Sequence, residues 1–529
     1  MSEPAHNRYD DVAYPTKAYS YAHVDRLWTI AHLFGRKPAQ PDRARVLELG
    51  CGSGGHLIPM AASMPEAKFV GFDLTLGAVE EARSVIAAAG LSNIEVYQRD
   101  ILDLPRDMGT FDYIVVHGVY SWVPAPVRTA LLEACKRHLA PEGVAYISYN
   151  TYPGWHLRGV VRDIMRVHGE TFADPIEQVE QGLAMARLIA QHLALAGQLY
   201  GTMLAQEVAQ IGGHTNAYYF HDFLAPVNDP VLFRDFVAAA RAQDLAYLGE
   251  VSLGDMMPTG IPDELKEKLN AVTADFEALQ QQYDLVRANA FRRSLLVHPR
   301  GPIERSLDES SLRGTYVALS GTPEEGQVDL SSDEQAIFRT RQDVEVKVGG
   351  RLSKAAMMYL FSQLPGEVAF DELCEKARAW AGLGPEADAD LDELGGALLH
   401  GFRVGLVDLG PRHRGAPESM PERPLALPLV RGMAGRGVEL VPNLRNEVVH
   451  LARMDRVLLH LCDGTRTHDE LLEGLVAAVK EGDLEVKVDG VATQDAKVIA
   501  ESMEIATPQR LRRLYEASLL VDERRFGQG

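Results

Sequence analysis

Apolar and polar positions cycle regularly through the first 150 residues. Short apolar runs predict strands at Arg45–Leu49, Lys68–Phe72, Ile94–Gln98, Phe111–His117 and Val144–Tyr149. Helical spacing predicts helices at His23–Phe34, Leu57–Ser63, Gly77–Ala89 and Arg128–Leu139. Strands alternating with helices at this interval predict a parallel, doubly wound, Rossmann-like α/β sheet. Right-handed crossovers then gather the loops that follow the strands along one edge.

The cycle stops after Trp155. Residues 156–212 hold long Ala-, Leu-, Gln- and Met-rich segments such as Gln178–Leu199, which predict an inserted helical bundle. Alternation then returns with a helix at Val231–Gln243, a strand at Leu245–Val251, a long helix at Pro262–Asn289 and a strand at Phe291–His298. Left alone, the first five strands would expose a sheet edge, so the last two strands are expected to complete that sheet. A separate α/β domain is the competing reading. The expected divisions are an N-terminal segment over 1–41, a sheet core over 42–155, and an insertion with the last strands over 156–300. A polar linker is expected over 301–333, followed by small α+β modules over 334–411 and 425–529. The first module reads as helices at Ala355–Gln363, Phe370–Ala381 and Leu391–Gly401 with a strand at Val404–Asp408. The Pro-, Gly- and charge-rich stretch 411–424 reads as a linker. The second reads as Arg456–Cys462, a turn at Asp463–Arg466, helices at Thr467–Lys480 and Pro508–Ala517, and a strand at Ser518–Val521. Helix–turn–helix with a terminal strand is a winged-helix-like pattern. Neither module has a Lys/Arg-rich recognition helix, so both read as protein-interaction or scaffold units.

Composition narrows the function classes. The 529-residue chain carries a formal net charge of −21, which argues against nucleic acid as a partner, since phosphates are met first by cations. Basic or lysine-rich protein partners suit that charge; so does simple solubility. The four cysteines have no CxxC spacing, so neither a metal site nor a disulfide framework is expected. No signal core and no membrane-spanning run is read, and a cytoplasmic location is expected. Oligomeric state is not legible.

Chemistry concentrates on the predicted strand ends. Glu48-x-Gly50-x-Gly52-x-Gly54 lies between the first strand and the next helix. Glycines there let a backbone approach a ligand, and the helix N-terminus offers free N–H groups. The spacing is not the GxGxxG of nicotinamide enzymes, and Glu48 suits a cationic amino-acid end. A lone loop also reads as a tight structural turn. Asp73 ends the second strand, where an acid can accept both ribose hydroxyls, or cap a helix. Asp100 and apolar Ile101 end the third, where an acid can accept from an adenine amino group beneath an apolar cover.

The series Val46–Gly54, Asp73, Arg99-Asp100-Ile101 and Phe111–Val115 resembles the motifs of class I S-adenosylmethionine (SAM)-dependent methyltransferases. The resemblance implies SAM as cofactor, S-adenosylhomocysteine as product, and no metal. It implies Gly50, Gly52 and Gly54 along the methionine end and Glu48 near its ammonium. Asp73, with Leu74 beside it, would hold the ribose, and Asp100 with Ile101 the adenine.

A narrower resemblance rests on Tyr9-Asp10, Tyr14-Pro15, His23-x-Asp25-Arg26-Leu27, His117–Pro124, Tyr149–Trp155, His221–Leu224 and Asn228-x-Pro230. These resemble methyltransferases carrying a methyltransferase regulatory domain, a group that includes rickettsial lysine methyltransferases of an outer-membrane protein. Val24 stands where a proline is expected, which bears on the helix start alone. The resemblance implies methylation of a protein lysine. A small-molecule methyltransferase and a SAM-binding interaction protein are the alternatives. Taking the proton off a lysine near neutral pH costs about 4 kcal/mol, so the site needs aromatic walls and a proton-handling group. Tyr120, Asn150 and His117 are the candidates for catalysis, His117 also as a SAM contact. Trp122, Tyr149, Tyr152 and Trp155 are expected around the substrate, with His221-Asp222 as a substrate-facing pair. Tyr14, with Tyr19 and Tyr21, is expected to close over the cofactor as part of an N-terminal cap.

Overall fold

The computed structural model describes residue 12 and residues 14–526 apart from 274, 333, 385–387 and 489–490; Tyr9 and Asp10 lie outside them. The strands are β1 (Arg45–Leu49), β2 (Lys68–Asp73), β3 (Ile94–Gln98), β4 (Phe111–Val116), β5 (Leu139–Asn150), β6 (Ala246–Glu250) and β7 (Phe291–Val297). They form one seven-stranded sheet ordered β3-β2-β1-β4-β5-β7-β6. The late strands therefore complete the first sheet. One expectation changes: β7 runs antiparallel to both β5 and β6, so the sheet is mixed. Its insertion between them shields the edge of β5, where Ala145 to Asn150 pair with Leu296 to Phe291.

The apolar runs are explained by cover on both faces. One face carries α1 (Val24–Leu33), α2 (Leu57–Ser63) and α3 (Leu76–Ala88), with Trp28, Met60 and Val79 in its core. The other carries α4 (Ala125–His138), whose Leu131, Leu132 and Cys135 pack with Phe236. At the start of α1, where the sequence lacks the proline, His23 caps the helix by accepting from the Asp25 N–H at 3.1 Å.

The insertion is helical as expected, with α5 (Gly154–Gly169), α6 (Pro175–Leu195), α7 (Leu199–Gln210) and α8 (Asn216–Phe223). Gly197, at a φ of +71°, separates α6 from α7. After α9 (Phe233–Ala242) and the short α10 (Leu253–Met256), the expected long helix is two, α11 (Asp263–Val272) and α12 (Phe276–Arg287). The Asp275 side chain caps the second by accepting from the Ala278 N–H.

Residues 301–333 are not simply a linker. They hold β8 (Tyr316–Leu319) and β9 (Gly321–Pro323), ahead of β10 (Ala336–Thr340) and β11 (Glu345–Val348). Strand β8 is the centre of a three-stranded sheet with β12 (Val368–Ala369) and β13 (Val407–Gly410). Its apolar run, Tyr316 to Leu319, is only four residues long within a polar stretch, and Val317 and Leu319 are fully buried. Helices α13 (Arg351–Ser362), α14 (Phe370–Ala381) and α15 (Asp388–Val404) complete this module.

The stretch 411–424 departs from expectation too: Arg412 and Arg414 are buried. The second module follows with α16 (Pro428–Gly435), β14 (Leu440–Pro442), β15 (Val448–His450), α17 (Arg453–Leu461), α18 (His468–Glu481) and α19 (Ala496–Glu516). Pro508 lies inside α19 rather than at its start. The strand expected at Ser518–Val521 is a single bridge, Leu520 to Ala426. Among the described residues no helix is long and apolar enough to cross a membrane.

Candidate active site

The order of β1 and β4 places a topological switch point between them, where a crevice opens beyond the strand ends. A cleft of about 1140 Å3 lies there. The loop after β1 forms its floor. Gly50 has a φ of +79° and Gly52 of +53°. A Cβ on Gly50 would stand 2.4 Å from Val119 Cγ2, and one on Gly52 2.5 Å from Thr16 Cγ2. The sequence GxG is thus demanded by conformation and by close approach together. Gly54 has another role: it does not line the cleft, and a Cβ there would collide with Ile58 of α2 at 2.6 Å. It is a packing glycine, which corrects its assignment to the cofactor.

Asp73 ties this loop to the end of β2. Its Oδ2 accepts from the Gly52 N–H at 2.8 Å and its Oδ1 from the Thr75 N–H at 2.9 Å. Asp73 thus braces the loop and the turn after β2, but it does not cap α3, whose N-cap is Thr75. Glu48 is buried, and its Oε2 has no hydrogen-bond partner among the described residues. Burial, then the nearby Asp73 charge, holds its carboxyl well above the usual range. An orphaned buried carboxyl facing a cleft is what a cationic ligand group would satisfy. Asp100 Oδ1 accepts from the Leu102 N–H at 2.9 Å, and Ile101 lies beside it in the cleft wall with the exposed Leu74.

An N-terminal strap covers one side. Thr16 Oγ1 lies 2.7 Å from Ser53 Oγ and accepts from the Gly55 N–H at 3.1 Å. The Tyr19 ring sits 4.0 Å from the His117 ring, and both line the cleft. Burial, then the Glu48 and Asp222 charges, pushes the Tyr19 hydroxyl up to about 12. His117 Nδ1 is 2.8 Å from the Tyr146 hydroxyl. Burial, then Arg293, lowers His117 to about 4, so it is neutral at pH 7. Tyr14 also lines the cleft and meets His221 edge-on at 5.3 Å.

The opposite side is aromatic. Trp122 and Trp155 meet edge-to-face at 6.2 Å, and both line the cleft. Asn150 joins them, its Nδ2 donating to Asn228 Oδ1 at 3.0 Å. From α8, His221 lies within hydrogen-bond reach of the Val12 carbonyl at 2.7 Å, so it also anchors the strap. Asp222 is hydrogen-bonded by Tyr218, and burial raises its carboxyl to about 7 against the opposing effects of Tyr218 and Arg158.

Three aromatic expectations fail. Tyr149 is fully buried, stacked on Phe236 at 4.0 Å with its hydroxyl 3.0 Å from Ser294 Oγ. Tyr120 packs edge-on against the same Phe236 at 5.3 Å. Side chains alternate along a strand, and Tyr149 points to the α9 face while Asn150 reaches the cleft. Tyr152 stacks on His156 at 4.2 Å and does not line the cleft. Conversely, Lys17, His56, Arg158, His214 and Tyr218 line it without having been singled out. Tyr218 was legible, being four residues from Asp222 on one helix face. His56 and Lys17 carry no local signal.

Residues 46–143 match a methyltransferase domain family, and residues 215–298 a predicted methyltransferase regulatory domain. Residues 422–519 match the family described as PKMT, C-terminal winged helix domain. An uncharacterised protein of Rickettsia prowazekii, RP789, is 28% identical over 528 residues, covering 98% of this chain and 94% of the relative. A second, RP028, is 34% identical over 240 residues, 45% of this chain and 96% of the relative. The solved structure of PKMT2 from Rickettsia typhi is 26% identical, with a TM-score of 0.87 over 96% of this chain and 100% of that one. The same protein in complex with AdoHcy superposes with a TM-score of 0.85, at 26% identity over 96% and 99% of the two chains.

Proposed function

Since the chain belongs to the class I SAM-dependent methyltransferases that carry a methyltransferase regulatory domain, we propose that its acceptor is a lysine side chain of a protein. The observation that carries this reading is the pairing of an aromatic recess with a buried carboxyl that titrates near neutrality. Trp122, Trp155 and Tyr218 wall the recess, and Asp222 stands at about 7 within it. A lysine presents a cation that aromatic faces hold and a proton that must leave before its nitrogen can attack. A carboxylate with a pKa near 7 is matched to receive it. The PKMT descriptions of the C-terminal domain family and of the Rickettsia typhi protein point the same way.

SAM supplies an electrophilic methyl group on a sulfonium. In this reading Gly50 and Gly52 bring backbone up to the methionine end, and Glu48 faces its ammonium. Asp73 holds the ribose and Asp100 the adenine. Asn150 orients the amine through its side-chain carbonyl, its Nδ2 being engaged by Asn228. The amine lone pair forms the new N–C bond as the S–C bond breaks, leaving S-adenosylhomocysteine. Asp222, backed by Arg158, takes the proton from the ammonium beforehand. Tyr120, assigned to catalysis from the sequence, has no part in this scheme.

The test is incubation of the full chain with methyl-labelled SAM and lysine-containing proteins, beside the same proteins with lysines acetylated. Methyl-lysine in the first set and none in the second is expected by mass spectrometry. Label confined to small molecules, or placed on other residue types, overturns the reading.

A further inference from the structure

The hairpin β14–β15 is the wing of the C-terminal module, and its tip is not free. Leu444, Arg445 and Asn446 are all buried. Arg445 Nη2 donates to the Pro365 carbonyl at 2.8 Å, and Arg341 Nη1 meets Glu447 at 2.5 Å, fixing the wing to the preceding module. A wing held this way is not available to a nucleic-acid groove.

At its apex Asn446 adopts a φ of +56°, a conformation Asn tolerates better than most residues. The side chain reaches His56, with Nδ2 2.9 Å from His56 Nδ1. His56 directly follows the glycine loop and lines the cleft. The same Nδ1 lies 3.3 Å from the Tyr19 N–H. The Ala22 backbone acts to raise the ring's pKa, while Nε2 is buried without a hydrogen-bond partner among the described residues. Two donors converging on Nδ1 require that nitrogen to carry its lone pair, leaving the proton on Nε2. Burial, then the charges of His117 and His23, lowers the ring to about 3. The groups facing it are thus Tyr19 and Ala22 of the strap, Asn446 of the wing, and His117 and His23.

We propose that Asn446 is a positioning residue of the cofactor site: by fixing the tautomer of His56 it holds the Tyr19 strap over the cleft, so the C-terminal wing sets SAM affinity. The chain of contacts is Asn446 to His56, His56 to the Tyr19 backbone, and the Tyr19 ring onto His117, two cleft-lining rings 4.0 Å apart. This holds whichever acceptor is methylated, so it stands or falls separately from the lysine reading.

The experiment compares Asn446→Asp and Asn446→Gly with wild type by calorimetric titration of S-adenosylhomocysteine. Both variants accept the positive φ; Asp replaces the donor with an acceptor, and Gly removes it. Affinity is expected to fall about five-fold or more in each, with the KM for SAM rising more than kcat falls. Unchanged affinity in both folded variants overturns the proposal. Nitrogen-15 NMR of His56 in the wild-type chain decides independently of any variant. An unprotonated Nδ1 at neutral pH is expected, and a proton on Nδ1 overturns it.

Discussion

Arg414 donates from Nε to Oδ2 of Asp25 at 3.0 Å, joining the first helix of the catalytic domain to the segment between the C-terminal modules. Arg412 Nε reaches the other oxygen at 3.3 Å, and Arg414 also meets Asp408 and Glu367. Asp25 and both arginines are buried. Removing one member of a buried ion pair leaves the others uncompensated, which costs about 3 kcal/mol or more. Asp25→Asn should lower stability by that amount in chemical denaturation. The arginines, with His23, hold the Asp25 carboxyl far below its ordinary value despite burial. Its stabilising contribution is therefore full above the unfolded value of about 3.9 and is lost as pH falls toward the depressed one. The wild type should show this acid-side loss and Asp25→Asn should not.

Asp73 braces the glycine loop against the turn after β2, at the position proposed for the ribose. Hydrogen bonds to charged groups contribute about 1.5–3 kcal/mol each. Asp73→Ala should abolish calorimetric SAM binding, and Asp73→Asn should weaken it about ten-fold or more. Unaltered SAM affinity in a folded Asp73→Ala chain would count against this assignment.

Tyr149 illustrates the opposite case. Its ring belongs to the core between β5 and α9, and its hydroxyl meets Ser294. Tyr149→Phe keeps the packing and removes one hydrogen bond, a change of about 1 kcal/mol in stability. Turnover and the KM for the methyl acceptor should stay near wild type in steady-state kinetics.

These residues show what the sequence could and could not carry. Strand ends were legible because β1, β2 and β4 are short, largely apolar runs and β3 an alternating one, each bounded by loops, so Glu48, Asp73 and Asp100 fell in register with one edge. The face to which an aromatic points was not, because Tyr149 and Asn150 are neighbours on opposite sides of one pleat. Strand β8 was hidden in a polar stretch, since its partners β12 and β13 lie far along the chain. The same distance hid the wing: Asn446 and His56 are separated by 390 positions, and nothing local to either announces the other.

The acceptor side offers a test in which two readouts move in opposite directions with pH. Burial raises the Asp222 carboxyl to about 7, against about 3.9 in the unfolded chain. A raised carboxyl favours the folded state most below the unfolded value, and that contribution is lost as pH rises through 7. In the proposed mechanism catalysis has the reverse sign, because Asp222 would have to be ionised to take a proton from the acceptor. The kcat/KM for the acceptor should therefore climb through pH 7 while Asp222's share of stability declines. Asp222→Asn keeps the side-chain shape and removes the titration. It should lower turnover by about two orders of magnitude, flatten the limb near pH 7, and leave the calorimetric affinity for S-adenosylhomocysteine within about two-fold, a difference of about 0.4 kcal/mol. A limb near pH 7 that persists in the variant would assign the proton to another group. His117, which also lines the cleft, is lowered to about 4 by burial and Arg293 and would produce its limb far to the acid side.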